Sequence, residues 1–143
     1  MVYGTLSLSE LLDAVGAATP APASGTAAAY AAALGAALAE LAAGVSRDDA
    51  AVASARELRA RLVGLADEDA EAYTAFLAER NDETRARIVE VPQEISAAAA
   101  QVVALGERLV RDGKASVAGD ARAAVELANG ARRAADNLVA LNQ

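Results

Sequence analysis

Forty-two of the 143 residues are alanine, and that excess limits the folds open to this chain more than any single motif does. Alanine is the strongest helix former, and the sequence lacks the β-branched runs that mark strands. The chain is therefore predicted to be all-α. A methyl group covers little area, so the core is thin. Thin cores of small residues favour close helix packing and burial against a second subunit, with a C2 homodimer as the expected form. The length suits one domain spanning residues 1–143.

Apolar periodicity places the helices. The first is expected from Leu8 to about Ala17, with Leu8, Leu11, Leu12 and Val15 on one face. The loop Thr19-Pro20-Ala21-Pro22-Ala23-Ser24-Gly25 breaks it. The second runs from about Thr26 to Val45 with the stripe Ala27, Tyr30, Leu34, Leu38, Leu41, Val45, and its Ala31, Gly35 and Ala36 let a neighbour approach closely. The third covers about Asp49 to Glu79, with a bend possible at Gly64. The fourth covers about Glu83 to Arg111, with Pro92 predicting a kink or break. The fifth runs from Gly119 or Asp120 to Leu141, with the stripe Ala124, Leu127, Ala131, Ala134, Leu138, Leu141. Short links between them imply an antiparallel bundle of about five long amphipathic helices.

Composition excludes several classes of function. The net charge is −7, with one lysine and twelve arginines, and no basic patch interleaved with aromatics, which argues against nucleic-acid binding. The chain has no cysteine and no histidine, so thiolate and histidine metal sites and histidine triads are excluded. Acid–base chemistry falls to Asp, Glu, Tyr, Lys or Arg. Residues 27–45 are apolar apart from Glu40, but their alanine content and central acid point to a buried helix rather than a membrane span. The N-terminus lacks the basic start and apolar run of a signal peptide, so the expected location is cytoplasmic.

One carboxylate stands out. Leu58, Leu62, Leu65, Asp69, Ala72 and Phe76 share one face of the third helix, and Asp69 is its only polar member. An acid on a core-facing stripe must be hydrogen-bonded, paired or protonated. It is either a general acid–base with Tyr73 one turn along, or a polar core residue satisfied by an arginine or an amide. Asp67, two residues earlier, points to nearly the opposite side, so the two are not a paired-carboxylate site. Ser24, Gly25 and Thr26 precede a helix start, where free N–H groups either cradle a polar ligand or are met by a cap. Asp120 either caps the fifth helix or meets a ligand. Asn137 either reads a ligand edge or ties helices together.

Several of these segments together resemble one family. They are Leu6-Ser7-Leu8-Ser9-Glu10-Leu11-Leu12-Asp13-Ala14 followed by Thr19-Pro20-Ala21-Pro22, the small-residue helix with Leu34-Gly35-Ala36-Ala37-Leu38, the acidic segment Asp67 to Tyr73, Glu90-Val91-Pro92 inside a helix, and Gly113 followed by Asp120 and Asn137. In order and spacing they are similar to the cyclodeaminase domain of formimidoyltransferase-cyclodeaminase and the related bacterial methenyltetrahydrofolate cyclohydrolases, over nearly the whole chain. The family's glycine triplet is Ala23-Ser24-Gly25 here, its following serine is Thr26, the segment between Phe76 and Val91 is shorter, and Asn142 stands one place from the family's second asparagine.

The resemblance implies an all-helical dimer that acts on a C–N bond of a tetrahydrofolate one-carbon unit, as a formiminotetrahydrofolate cyclodeaminase or a methenyltetrahydrofolate cyclohydrolase, without metal or redox cofactor. It implies Asp69 as the proton carrier, with its pKa raised by partial burial, and Ser24, Gly25, Thr26, Tyr73, Asp120 and Asn137 as substrate contacts. The alternatives are a relative with another amidine or imine substrate, and a non-catalytic helical protein that uses its small-residue faces for dimerisation or partner docking.

Overall fold

The computed structural model describes all residues, 1–143, and is entirely helical. A short 3-10 turn at Tyr3–Thr5 precedes α1 (Leu8–Gly16), α2 (Ser24–Val45), α3 (Asp49–Ala78) and α4 (Asp82–Asp112); a second 3-10 turn, Ala115–Val117, leads into α5 (Ala118–Asn142). The four long helices form an antiparallel bundle in which α2 packs on α3 and α5, α4 packs on α3 and α5, and α2 also meets α4 across the centre. Short polar side chains start three of the helices. Ser7 and Glu10 form a capping box on α1, Asp48 accepts from the Ala51 N–H on α3, and Asn81 accepts from the Thr84 N–H on α4. Each satisfies a donor that the first turn leaves free.

The stripe expected on α3 faces the core, and so does the apolar line of α4. Leu58, Leu62, Leu65 and Ala72 are buried on α3, and Ile88, Val91, Ile95, Ala98, Val102, Leu105 and Leu109 on α4. Neither Gly64 nor Pro92 interrupts its helix.

On α2 the expected stripe faces the wrong way. Leu34 and Leu41 are 61% and 48% exposed, while Ala28, Ala29, Ala32, Gly35, Ala36, Ala39, Ala42 and Ala43 are buried. The reason is steric: α2 touches three helices, and hydrogen and methyl side chains bring their axes together where leucine would hold them apart. A Cβ at Gly35 would stand 3.0 Å from the Ala124 carbonyl oxygen of α5. The same rule corrects α5, whose buried line is Ala121, Ala124, Ala128, Ala131 and Ala135, with Leu127 and Leu141 exposed.

α1 buries no residue and leaves Leu8 and Leu12 mostly exposed, so the bundle proper has four helices. Arg56 and Arg59 pair with Glu40, the one charged residue of α2, and Arg61 with Glu94, so these arginines form a solvated face. By length and composition α2 and α4 could each cross a membrane, yet half of the apolar window of α2 is buried inside the bundle.

Gly35→Leu is expected to destabilise the fold by about 1–3 kcal/mol, because the added volume has no room between α2 and α5. Urea denaturation compared with the parent chain measures it.

Candidate active site

The site is built where α2 begins. The loop after α1 delivers the chain to Ser24, the first residue of α2; the preceding residue is Ala23, and no side chain caps this end. The next turn is fixed from behind. Thr26 is fully buried, and its hydroxyl donates to the Ala66 carbonyl of α3 at 2.8 Å. That bond draws the first turn of α2 onto α3 and sets Gly25 directly against the Asp69 carboxylate. A Cβ at position 25 would clash with the Asp69 carboxylate, so any side chain there fits only by displacing it.

Asp69 is half-buried. Burial alone raises its pKa from 3.8 to about 6; no hydrogen bond or charge within the protein holds its ionised form. Its acidic neighbours are differently placed. Asp67 accepts the Tyr3 N–H at 2.8 Å and anchors the N-terminal turn to the other side of α3. Glu68 lies 3.7 Å from Arg87.

Asp69 opens into a cavity of about 220 Å³ at one end of the bundle. Pro20, Ala21 and Ala23 line it from the loop, Ser24 and Gly25 from α2, Asp69 and Tyr73 from α3, Ile88 from α4, and Leu138 and Asn142 from α5. Of the residues singled out in the sequence, the structure brings together Ser24, Gly25, Asp69 and Tyr73. Three lie elsewhere. Thr26 is spent on the tether behind the site. Asp120 sits in the first turn of α5 without capping it, roughly 33 Å from Asn142 by helical rise. Asn137 is exposed, because it precedes Leu138 by one residue and so points about 100° away from it.

The asparagine at the cavity is Asn142, and a proline explains how it is held. Pro92 has no N–H, so the carbonyl four residues earlier, that of Ile88, lacks its helical donor. The Asn142 side-chain amide supplies one, donating from Nδ2 at 2.9 Å. Because a carbonyl only accepts, this bond fixes which end of the amide is which, and it leaves Oδ1 as an acceptor beside the cavity. The sequence carried this signal in the placement of Pro92 four residues after a cavity-wall residue, but not the helix that would answer it.

Comparison with known proteins places this arrangement. The family profile described as formiminotransferase-cyclodeaminase matches residues 7–143. The chain belongs to that family. Among solved structures, the cyclodeaminase-family fold is shared with formiminotetrahydrofolate cyclodeaminase from Thermotoga maritima, at a TM-score of 0.92 and 23% identity, over 97% of this chain and 79% of the other. A search of curated proteins gives no match. For the cyclodeaminase family member described here, the likeness to the solved structure speaks to the fold.

The placement of Asp69 has a cost that pH reveals. The group ionises near 3.8 when unfolded and near about 6 when folded, so the folded state holds more protons between those values, and stability falls as pH rises from about 4 to about 6. Above that window the loss is of order 3 kcal/mol. Asp69→Asn is therefore expected to raise the melting temperature at pH 7.5 and to flatten this pH dependence. Calorimetry across pH 4 to 8 measures both, on the order of magnitude set by the linkage relation.

Proposed function

We propose that this chain is a formiminotetrahydrofolate cyclodeaminase-type enzyme, in which Asp69 carries a proton between two nitrogens of a folate one-carbon unit. The observation that carries the reading is the unpaired, half-buried Asp69 carboxylate at the cavity wall, with its pKa raised to about 6.

In the proposed reaction the substrate carries a protonated formimino group on N5. N10 attacks the formimino carbon, forming the second C–N bond, and the proton that N10 can no longer keep passes to the Asp69 carboxylate. The protonated Asp69 then gives it to the former imino nitrogen. That nitrogen leaves as ammonia, and the 5,10-methenyl bridge keeps the positive charge. One group serves as base and then acid, which a pKa near working pH permits. The uncapped N–H groups of Ser24 and Gly25 donate to a ligand oxygen, Asn142 Oδ1 accepts from a ligand N–H, and Tyr73 offers a flat wall. Methenyltetrahydrofolate hydrolysis would use the same residues, with Asp69 taking the proton of the attacking water.

This reading carries with it a cytoplasmic homodimer. The exposed Leu34, Leu41 and Val45 of α2, together with Leu8 and Leu12 of α1, support the second subunit, and a solution mass of one 14.4 kDa chain would remove it.

The test is methenyltetrahydrofolate absorbance, followed from the formimino substrate and, separately, through hydrolysis. Activity is expected to rise with pH through about 6 and then level, as Asp69 ionises. Asp69→Asn is expected to lower kcat about 100-fold or more, and Gly25→Ala to do comparable damage by displacing the carboxylate. Full turnover by Asp69→Asn would overturn the assignment.

A further inference from the structure

One wall of the cavity is held by a residue that does not reach it. Pro92 lies well inside α4, is fully buried and does not line the cavity. A proline there removes one helical hydrogen bond and crowds the carbonyl four residues back, and a single side-chain bond restores less than that costs. Alanine or leucine would suit the helix better. The helix nonetheless runs through unbroken. The carbonyl left bare is that of Ile88, whose side chain lines the cavity.

The amide that meets this carbonyl belongs to the cavity as well. Asn142 and Leu138 stand one turn apart on α5, and both line it. Asn142 Nδ2 donates to the Ile88 carbonyl oxygen at 2.9 Å, while Oδ1 takes no hydrogen bond from the protein. An amide tied by its nitrogen cannot turn over and offer its NH2 to the cavity. If position 92 carried an N–H, the Ile88 carbonyl would be drawn back into its own helix, and either end of the amide could face inward. With the amide held, the Asn142 oxygen and the ionised Asp69 carboxylate both accept, and a ligand edge that suits them carries N–H groups.

We propose that Pro92 is a positioning residue for ligand binding: by baring the Ile88 carbonyl it holds the Asn142 amide with its oxygen toward the cavity. The ligand class is a nitrogen heterocycle that meets Asn142 with an N–H. The inference rests on the folate reading and adds to it a residue that acts on the ligand without touching it. Were Asn142 only a repair to the helix, its oxygen would be idle, and neither residue would affect binding.

A double-mutant cycle tests it. Tetrahydrofolate is titrated by calorimetry into the parent protein, Pro92→Ala, Asn142→Ala and the variant with both changes, with the melting temperature recorded for each. Pro92→Val, which restores the same N–H with a side chain of similar size, separates the hydrogen bond from the packing. Pro92→Ala and Pro92→Val are each expected to weaken binding about fivefold, the worth of one oriented hydrogen bond. Pro92→Ala is expected to have no effect once Asn142 is replaced by alanine. Without ligand, the Asn142 side-chain NH2, identified in amide NMR spectra by its loss in Asn142→Ala, is expected to exchange with solvent several-fold faster in Pro92→Ala than in the parent. An equal loss of affinity in both backgrounds, a loss in Pro92→Ala that Pro92→Val does not share, full affinity in every variant, or unchanged amide exchange each overturns the positioning role and leaves the folate reading standing. A parent that does not bind tetrahydrofolate overturns the folate reading, and this inference with it.

Discussion

The closeness of α2 to its neighbours governs the rest of this molecule. One helix touches three others along its length, and only hydrogen and methyl side chains permit that. The leucines of α2 are therefore displaced outward and the alanines take the core, the reverse of the usual amphipathic pattern. The same closeness at the start of α2 sets the peptide of Gly25 on the Asp69 carboxylate. The Thr26 hydroxyl completes the contact from the buried side, so that one hydrogen bond to Ala66 positions both the helix and the acid it meets.

From that contact the chemistry of the site follows. A carboxylate pressed against a backbone and partly withdrawn from water, with no cation to pair with, is costly to ionise, and its pKa rises accordingly. The protein carries this cost in a fold whose net stability is small. Asp67, only two residues away, shows the contrast: it receives a backbone N–H and serves as an anchor. Sequence proximity says little about the role of an acid, whereas its place on the helix circumference says a great deal.

Much of this was legible in the sequence. Helix limits came within two residues of those observed, because prolines, glycines and short capping side chains mark them strongly. Asp69 was visible because α3 and α4 bury large side chains, whose periodicity is unambiguous. The stripes of α2 and α5 were misread for the same reason in reverse: hydrophobicity favours leucine for the inside, while close packing favours alanine, and periodicity alone does not say which wins. Among the site residues, Ser24, Gly25, Asp69 and Tyr73 converge on one cavity. Asp120 and Asn137 do not, because their distance from it depends on which end and which face of α5 meets the other helices. Asn142 was visible only as an asparagine one place from the family's position; its role was not legible, because its partner is a backbone carbonyl and no side-chain pattern announces one.

The bond between Asn142 and Ile88 bears on more than the cavity wall. The face that α5 buries is a row of alanine methyl groups, each like the next, so it marks no axial alignment by itself. The bare carbonyl below Pro92 occurs once on α4, and a single amide on α5 answers it. A missing hydrogen bond within one helix thereby becomes an index mark between two, adding one directional contact to an α5 face that otherwise offers only methyl groups.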